Sequence, residues 1–79
     1  MLEIRYLRKF KRDLKRLQKQ RKNMENLKTV IRLLCEGKEL PSKYADHPLK
    51  GEWSDFRDCH IEPDWVLIYR VEQEELLLY

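Results

Sequence analysis

The 79-residue sequence predicts a single α+β domain with the element order β-α-α-β-β-β. Three observations predict it. Apolar residues alternate with polar ones at the N-terminus and then switch to helical spacing. A second helical stripe follows after only a short polar link, which predicts an antiparallel helical hairpin. The second half carries strand-like runs divided by tight turn signals, which predicts an antiparallel meander covered on one face by the helices.

The elements follow in order. Leu2, Ile4 and Tyr6 alternate with Glu3 and Arg5, a period of two that reads as a short strand. Leu7, Phe10, Leu14 and Leu17 recur at helical spacing and predict a helix over about residues 8–20. Asn23 is placed to cap a second helix, whose stripe is Met24, Leu27, Val30, Ile31 and Leu34. That helix should stop at Glu36, with Gly37 taking the left-handed backbone conformation beyond it. Residues 38–52 show no period and are punctuated by Pro41, Pro48 and Gly51, so they read as a long loop. The run from Trp53 to Ile61 reads as a strand, Glu62-Pro63-Asp64 as a turn, and Trp65 to Val71 as a central strand apolar on both faces. Glu72 to Glu74 is a polar turn, and Glu75 to Tyr79 a last strand. This apolar ending without a polar cap leads us to expect a further C-terminal segment.

Composition excludes several classes. No apolar run approaches the roughly 20 residues of a membrane helix. The N-terminal residues lack the apolar core and small-residue cleavage site of a secretory signal. Cys35 and Cys59 are too few and too far apart for a disulfide framework or a zinc knuckle, and read as reduced, partly buried thiols. The net charge of +3 hides an asymmetry: residues 1–22 carry +8 and the remainder −5. Arg8, Arg12 and Arg16 lie four apart, as do Lys11, Lys15 and Lys19, so a helix places like charges side by side. A polyanion would turn that repulsion into attraction, and nucleic acid is the commonest one, although an acidic protein would serve equally.

Chemistry-bearing residues cluster late in the chain: Asp46-His47-Pro48, then Arg57-Asp58-Cys59-His60, then Asp64. On a strand, Asp58 and His60 share a face. Taken singly, they fit an ordinary hydrogen-bonded pair, with Asp64 stabilising its turn. Taken together, the imidazoles of His47 and His60 with the carboxylates of Asp58 and Asp64 suit proton transfer in both directions near neutral pH. Arg57 and Lys50 would hold a phosphate. This set suits cleavage of an RNA phosphodiester through its own 2′-hydroxyl, which needs a base, an acid and positive charge, and no cofactor. Asp58, His60 and His47 could instead supply three metal ligands, but without a recognisable ligand spacing.

The motifs Asp46-His47-Pro48-Leu49, Gly51-x-Trp53, Arg57-Asp58-x-His60-x-x-Pro63-Asp64-Trp65 and Leu67-x-Tyr69 resemble the YafQ branch of the RelE superfamily, toxins of bacterial type II toxin–antitoxin modules. The resemblance implies a RelE-like fold and a cytoplasmic, ribosome-dependent endoribonuclease that cuts messenger RNA in the A site. It implies neutralisation by a cognate antitoxin and contact with DNA only through that antitoxin. By position it implies catalytic roles for His47, His60, Asp58 and Asp64, phosphate contact or support for Arg57, and packing under the site for Trp65. The basic residues Lys11, Arg12, Lys15, Arg16 and Lys19 would then face ribosomal RNA. Such toxins continue past the last strand into a segment with a further catalytic histidine, so this chain is expected to cleave weakly on its own. Two readings compete with this one: a non-catalytic RNA- or ribosome-binding module, and a pure interaction protein whose basic helices bind an acidic polypeptide or antitoxin.

Overall fold

The computed structural model describes residues 1–79. Strand β1 spans Glu3–Tyr6, helix α1 Arg8–Lys19 and helix α2 Met24–Cys35. Strands β2 (His47–Pro48), β3 (Arg57–Glu62), β4 (Trp65–Glu72) and β5 (Glu75–Leu78) follow. The sheet order is β1-β5-β4-β3-β2. Strands β3, β4 and β5 form the expected antiparallel meander, and β1 closes the edge in parallel with β5. The sheet is therefore mixed.

Both helices end in the same way. Beyond α1, Arg21 adopts φ +58° and the Lys22 N–H donates to the Leu17 carbonyl at 3.2 Å. Beyond α2, Gly37 adopts φ +71° and the Lys38 N–H donates to the Leu33 carbonyl at 3.0 Å. These are Schellman-type ends, in which a left-handed residue lets the chain reverse while orphan carbonyls stay bonded. Asn23 caps α2 as expected, its side chain accepting from the Asn26 N–H at 3.1 Å. Helix α1 has no side-chain cap and no acidic residue in its first turn. Burial of Phe10 against the sheet, rather than local signals, holds it in place.

Alternation along the strands divides the sheet into two faces. Cys59 and Ile61 of β3, Trp65, Leu67 and Tyr69 of β4, and Leu76 and Leu78 of β5 point into the core. There they meet Phe10, Leu27, Val30 and Leu34 from the helices. The opposite face carries no helix. Strand β4 is central in the sheet but not buried on both faces, since Val66, on the open face, remains 44% exposed.

Two stretches differ from the sequence reading. The expected loop contains a 3-10 turn at Ser42–Tyr44, another at Gly51–Trp53, and strand β2 between them. Proline biases the residue before it toward extended backbone, so His47 can pair with β3. The expected strand from Trp53 begins only at Arg57. Gly51 adopts φ +67°, and bonds from Ser54 N–H to Gly51 O and Phe56 N–H to Trp53 O curl residues 51–56 into a turn.

Candidate active site on the open face of the sheet

Strand β3 sorts its side chains by alternation. Arg57 and Cys59 face the helices, while Asp58 and His60 face the open side. Strand β2 places His47 directly opposite Asp58. Pro48 has no N–H to offer, which an edge strand tolerates. The His47 ring is held at both nitrogens: Nδ1 lies 2.8 Å from the Ala45 carbonyl and Nε2 lies 3.0 Å from Asp58 Oδ1. Both neighbours are acceptors, so a ring donating from both nitrogens satisfies both. Asp58 Oδ1 is buried and has no other hydrogen-bond partner. Its one polar neighbour is His47, which itself is exposed.

His60 stands two residues along β3 from Asp58, on the same face, about 6.6 Å of strand rise away. It borders a cleft of about 630 Å³, together with Asn26, Lys43, Ala45 and Glu62. Ala45 also supplies the carbonyl that anchors His47. The two histidines therefore flank one stretch of backbone. Asp58 pairs with His47 and makes no hydrogen bond to His60.

A second polar group lies under the helix-facing side of β3. Asp46 accepts from Arg57 Nε and Nη2, both at 3.3 Å, and from the Tyr69 hydroxyl at 2.5 Å. Tyr69 is fully enclosed, and burial together with the Asp46 carboxylate pushes its phenol pKa well above the ordinary value. The Asp46 carboxylate likewise raises Arg57 further above its usual range. Arg57, expected as a phosphate contact, is thus engaged in bracing the residue before His47. The sequence reading missed Asp46 and Tyr69 as a pair, because 23 residues separate them and no local pattern joins them. Cys59, beside this group, has its thiol pushed up to about 12 by burial.

The remaining expected residues are dispersed. Asp64 lies on the β3–β4 turn and pairs with Lys22 Nζ at 2.5 Å, which lowers its pKa and raises that of Lys22. It makes no hydrogen bond to either histidine. Trp65 is 6% exposed on the helix-facing side, which leaves its ring a packing role instead of direct contact with RNA. Lys50 is exposed on the turn after β2. Lys11, Arg12, Lys15, Arg16 and Lys19 are all exposed along α1, where Asp13 is the sole acid and pairs with Lys9 and Arg16. No three His, Cys, Asp or Glu side chains cluster as a metal site, so His47, Asp58 and His60 do not assemble as a ligand triad. Cys35 and Cys59 are free, buried thiols. No helix is long and apolar enough to cross a membrane.

Known proteins resemble this chain in sequence and in fold. Residues 2–79 match the family model described as the bacterial toxin of type II toxin–antitoxin system, YafQ. The mRNA interferase toxin YafQ of Escherichia coli K12 is 43% identical over 75 residues, covering 94% of this chain and 82% of that protein. The putative toxin YafQ of Haemophilus influenzae is 44% identical over 78 residues, covering 94% of this chain and 76% of the relative. Among solved structures, a copper-bound mutant toxin from Helicobacter pylori superposes with a TM-score of 0.98 at 37% identity, over 100% of this chain and 90% of that one. YafQ in the E. coli DinJ–YafQ complex superposes with a TM-score of 0.89 at 40% identity, over 99% of this chain and 88% of that one. On this sequence match and these superpositions, the chain belongs to the YafQ family of bacterial type II toxin–antitoxin toxins.

Proposed function

We propose that this chain is an endoribonuclease toxin that cuts messenger RNA in the ribosomal A site and is neutralised by a cognate antitoxin. The observation that carries the proposal is His47, fixed between the Ala45 carbonyl and the Asp58 carboxylate on an uncovered sheet face, with His60 two residues along. The naming of relatives as mRNA interferases supports the same reading.

The chemistry follows from those groups. Attack of a 2′-hydroxyl on the adjacent phosphorus forms the new O–P bond while the bond to the 5′-oxygen breaks. One group takes the 2′-proton and another gives a proton to the departing oxygen. His47 and His60 are the two candidates. Asp58, 3.0 Å from Nε2, orients His47. The nucleophile belongs to the substrate, so the reaction needs neither metal nor cofactor. Cations of α1 and Lys50 supply charge for the polynucleotide backbone. Asp64, committed to Lys22, stands outside this inner set. Trp65 supports the sheet from beneath. The place of action is the bacterial cytoplasm, where translating ribosomes are.

The antitoxin reading is supported by the likeness to YafQ in the E. coli DinJ–YafQ toxin–antitoxin complex and by the cationic face of α1, which suits an acidic segment. A second reading, a non-catalytic RNA-binding module, is favoured by that same face. A cleavage assay on translating ribosomes separates them. His60→Ala and His47→Ala should each lower the cleavage rate about 10²–10⁴-fold, the usual worth of one proton-transfer group. Undiminished growth inhibition by His60→Ala would leave only the binding module.

A further inference from the structure

Three aromatic rings gather on the open face, the face that also carries the histidines, and outside the core. Trp53 lies 5.2 Å from Phe56 and 5.1 Å from Tyr79, and Phe56 lies 6.0 Å from Tyr79, with all three planes tilted by 59–68°. The sheet register explains their position. Phe56 precedes Asp58 by two residues and shares its face. The Tyr79 N–H donates to the Ile68 carbonyl, which puts Tyr79 in one cross-strand row with Ile68, Asp58 and His47. Two strand spacings, about 10 Å, separate Tyr79 from Asp58 along that row.

These rings do not behave as a second core. Trp53 remains 41% exposed although it touches both neighbours. Cations sit on the cluster: the Arg70 guanidinium lies 5.8 Å from the Phe56 centroid and Lys9 Nζ lies 5.2 Å from that of Tyr79. Lys9 lies 2.9 Å from the partly buried Asp13, and Arg70 lies 3.6 Å from Glu72 and 4.0 Å from Asp55, both exposed. Exposed pairs of this kind are weak, and phosphate oxygens can replace them. Lys9 belongs to α1, so the cluster is continuous with the basic helix. Exposed aromatics beside a cationic track are what single-stranded nucleic acid uses, with bases stacked on rings and phosphates on the charges.

The geometry points to a base-stacking platform, Trp53 supported by Phe56 and Tyr79, that holds a nucleobase of single-stranded RNA beside His47 and Asp58. Placing the scissile bond at those residues rests on the ribonuclease reading; the stacking itself does not. The tilted neighbours hold the Trp53 ring, so little side-chain freedom is lost when a base settles on it.

Tryptophan emission tests this directly, because the protein has two tryptophans and Trp65 is buried. The probe is a short oligoribonucleotide with 2′-methoxy groups, which binds but cannot be cut. Titration should quench the wild type. Trp53→Ala should lose the quenching and bind about 5- to 150-fold more weakly, the ratio expected for one stacked base. Trp53→Phe should recover most of the affinity, which a merely misfolded variant would not. On translating ribosomes Trp53→Ala should raise KM more than it lowers kcat. The platform is refuted if Trp53→Ala binds the probe as tightly as wild type, or if the emission responds to poly-glutamate and not to the oligonucleotide, which would make this a protein contact. Quenching by a wild type that never cleaves would remove the ribonuclease reading and leave the platform standing.

Discussion

Replacing Tyr69 by Phe removes one oxygen and tests what holds His47 in place. Tyr69 is 2% exposed, and its hydroxyl donates to an Asp46 carboxylate that Arg57 also binds twice. A hydrogen bond to a charged group contributes about 1.5–3 kcal/mol. The Asp46 side chain is 23% exposed, so water compensates part of the loss and the lower half of that range applies, about 1.5–2 kcal/mol. In a domain of this size such a change lowers Tm by about 6–16 °C. Asp46→Ala should cost more, about 2–4 kcal/mol, because it strands both the buried hydroxyl and the guanidinium. Urea unfolding followed by tryptophan emission measures all three variants, the third being the double mutant. The coupling energy should be at least about 1 kcal/mol, as for residues in one polar network. The single variants should also slow cleavage, since Asp46 adjoins His47 in the chain. A coupling below about 0.3 kcal/mol would mean that the carboxylate and phenol act independently, and the brace would be refuted.

Other outcomes follow from the same structure. Cys59 should resist iodoacetamide at pH 8 in the folded protein and react on unfolding, because its thiol is pushed up to about 12. The folded pKa values of Cys59 and Tyr69 lie above their ordinary 9.0 and 10.0, so above pH 9 the unfolded chain holds fewer protons than the folded one. Stability that is intact below pH 9 should therefore fall toward pH 12, by about 1.4 kcal/mol per pH unit while one such group titrates, as urea midpoints across that range would reveal. Gly37→Ala should lower stability by about 1–2 kcal/mol and Arg21→Gly should raise it by up to about 1 kcal/mol, because both positions hold left-handed backbone; thermal melts giving the opposite signs would contradict the helix-end assignment. Reversing Lys11, Lys15 and Lys19 to Glu should weaken RNA binding and flatten its dependence on salt by about 0.7 per lost phosphate contact.

The sequence made the helices and the meander legible because their signals are local. Phe10, Leu14 and Leu17 mark one stripe, Asn23 and Gly37 bracket the next helix, and the apolar run from Trp65 marks the central strand. The site was legible in part. Asp58 and His60 share a face because alternation requires it, and His47 is extended because Pro48 follows it. Its pairing with Asp58 was not legible, since a two-residue strand has no period to read. The aromatic content from Trp53 to Phe56 imitates a strand, but the positive φ of Gly51 curls it. Arg57 looked free for phosphate because its partner lies 11 residues away in a stretch without pattern. Polar pairing at such range is a property of the finished fold.

Strand β1 has a single neighbour in the sheet, β5. Residues 3–6 must therefore wait until residues 75–78 have been synthesised before they can pair. Closing a loop that spans most of the chain is entropically slow compared with forming the helical hairpin between its ends. A growing polypeptide can shape the hairpin early, yet the sheet that carries His47 and His60 has no completed β1 edge until residues 75–78 have been made. The chain thus gains its helices before it gains the framework on which the two histidines stand.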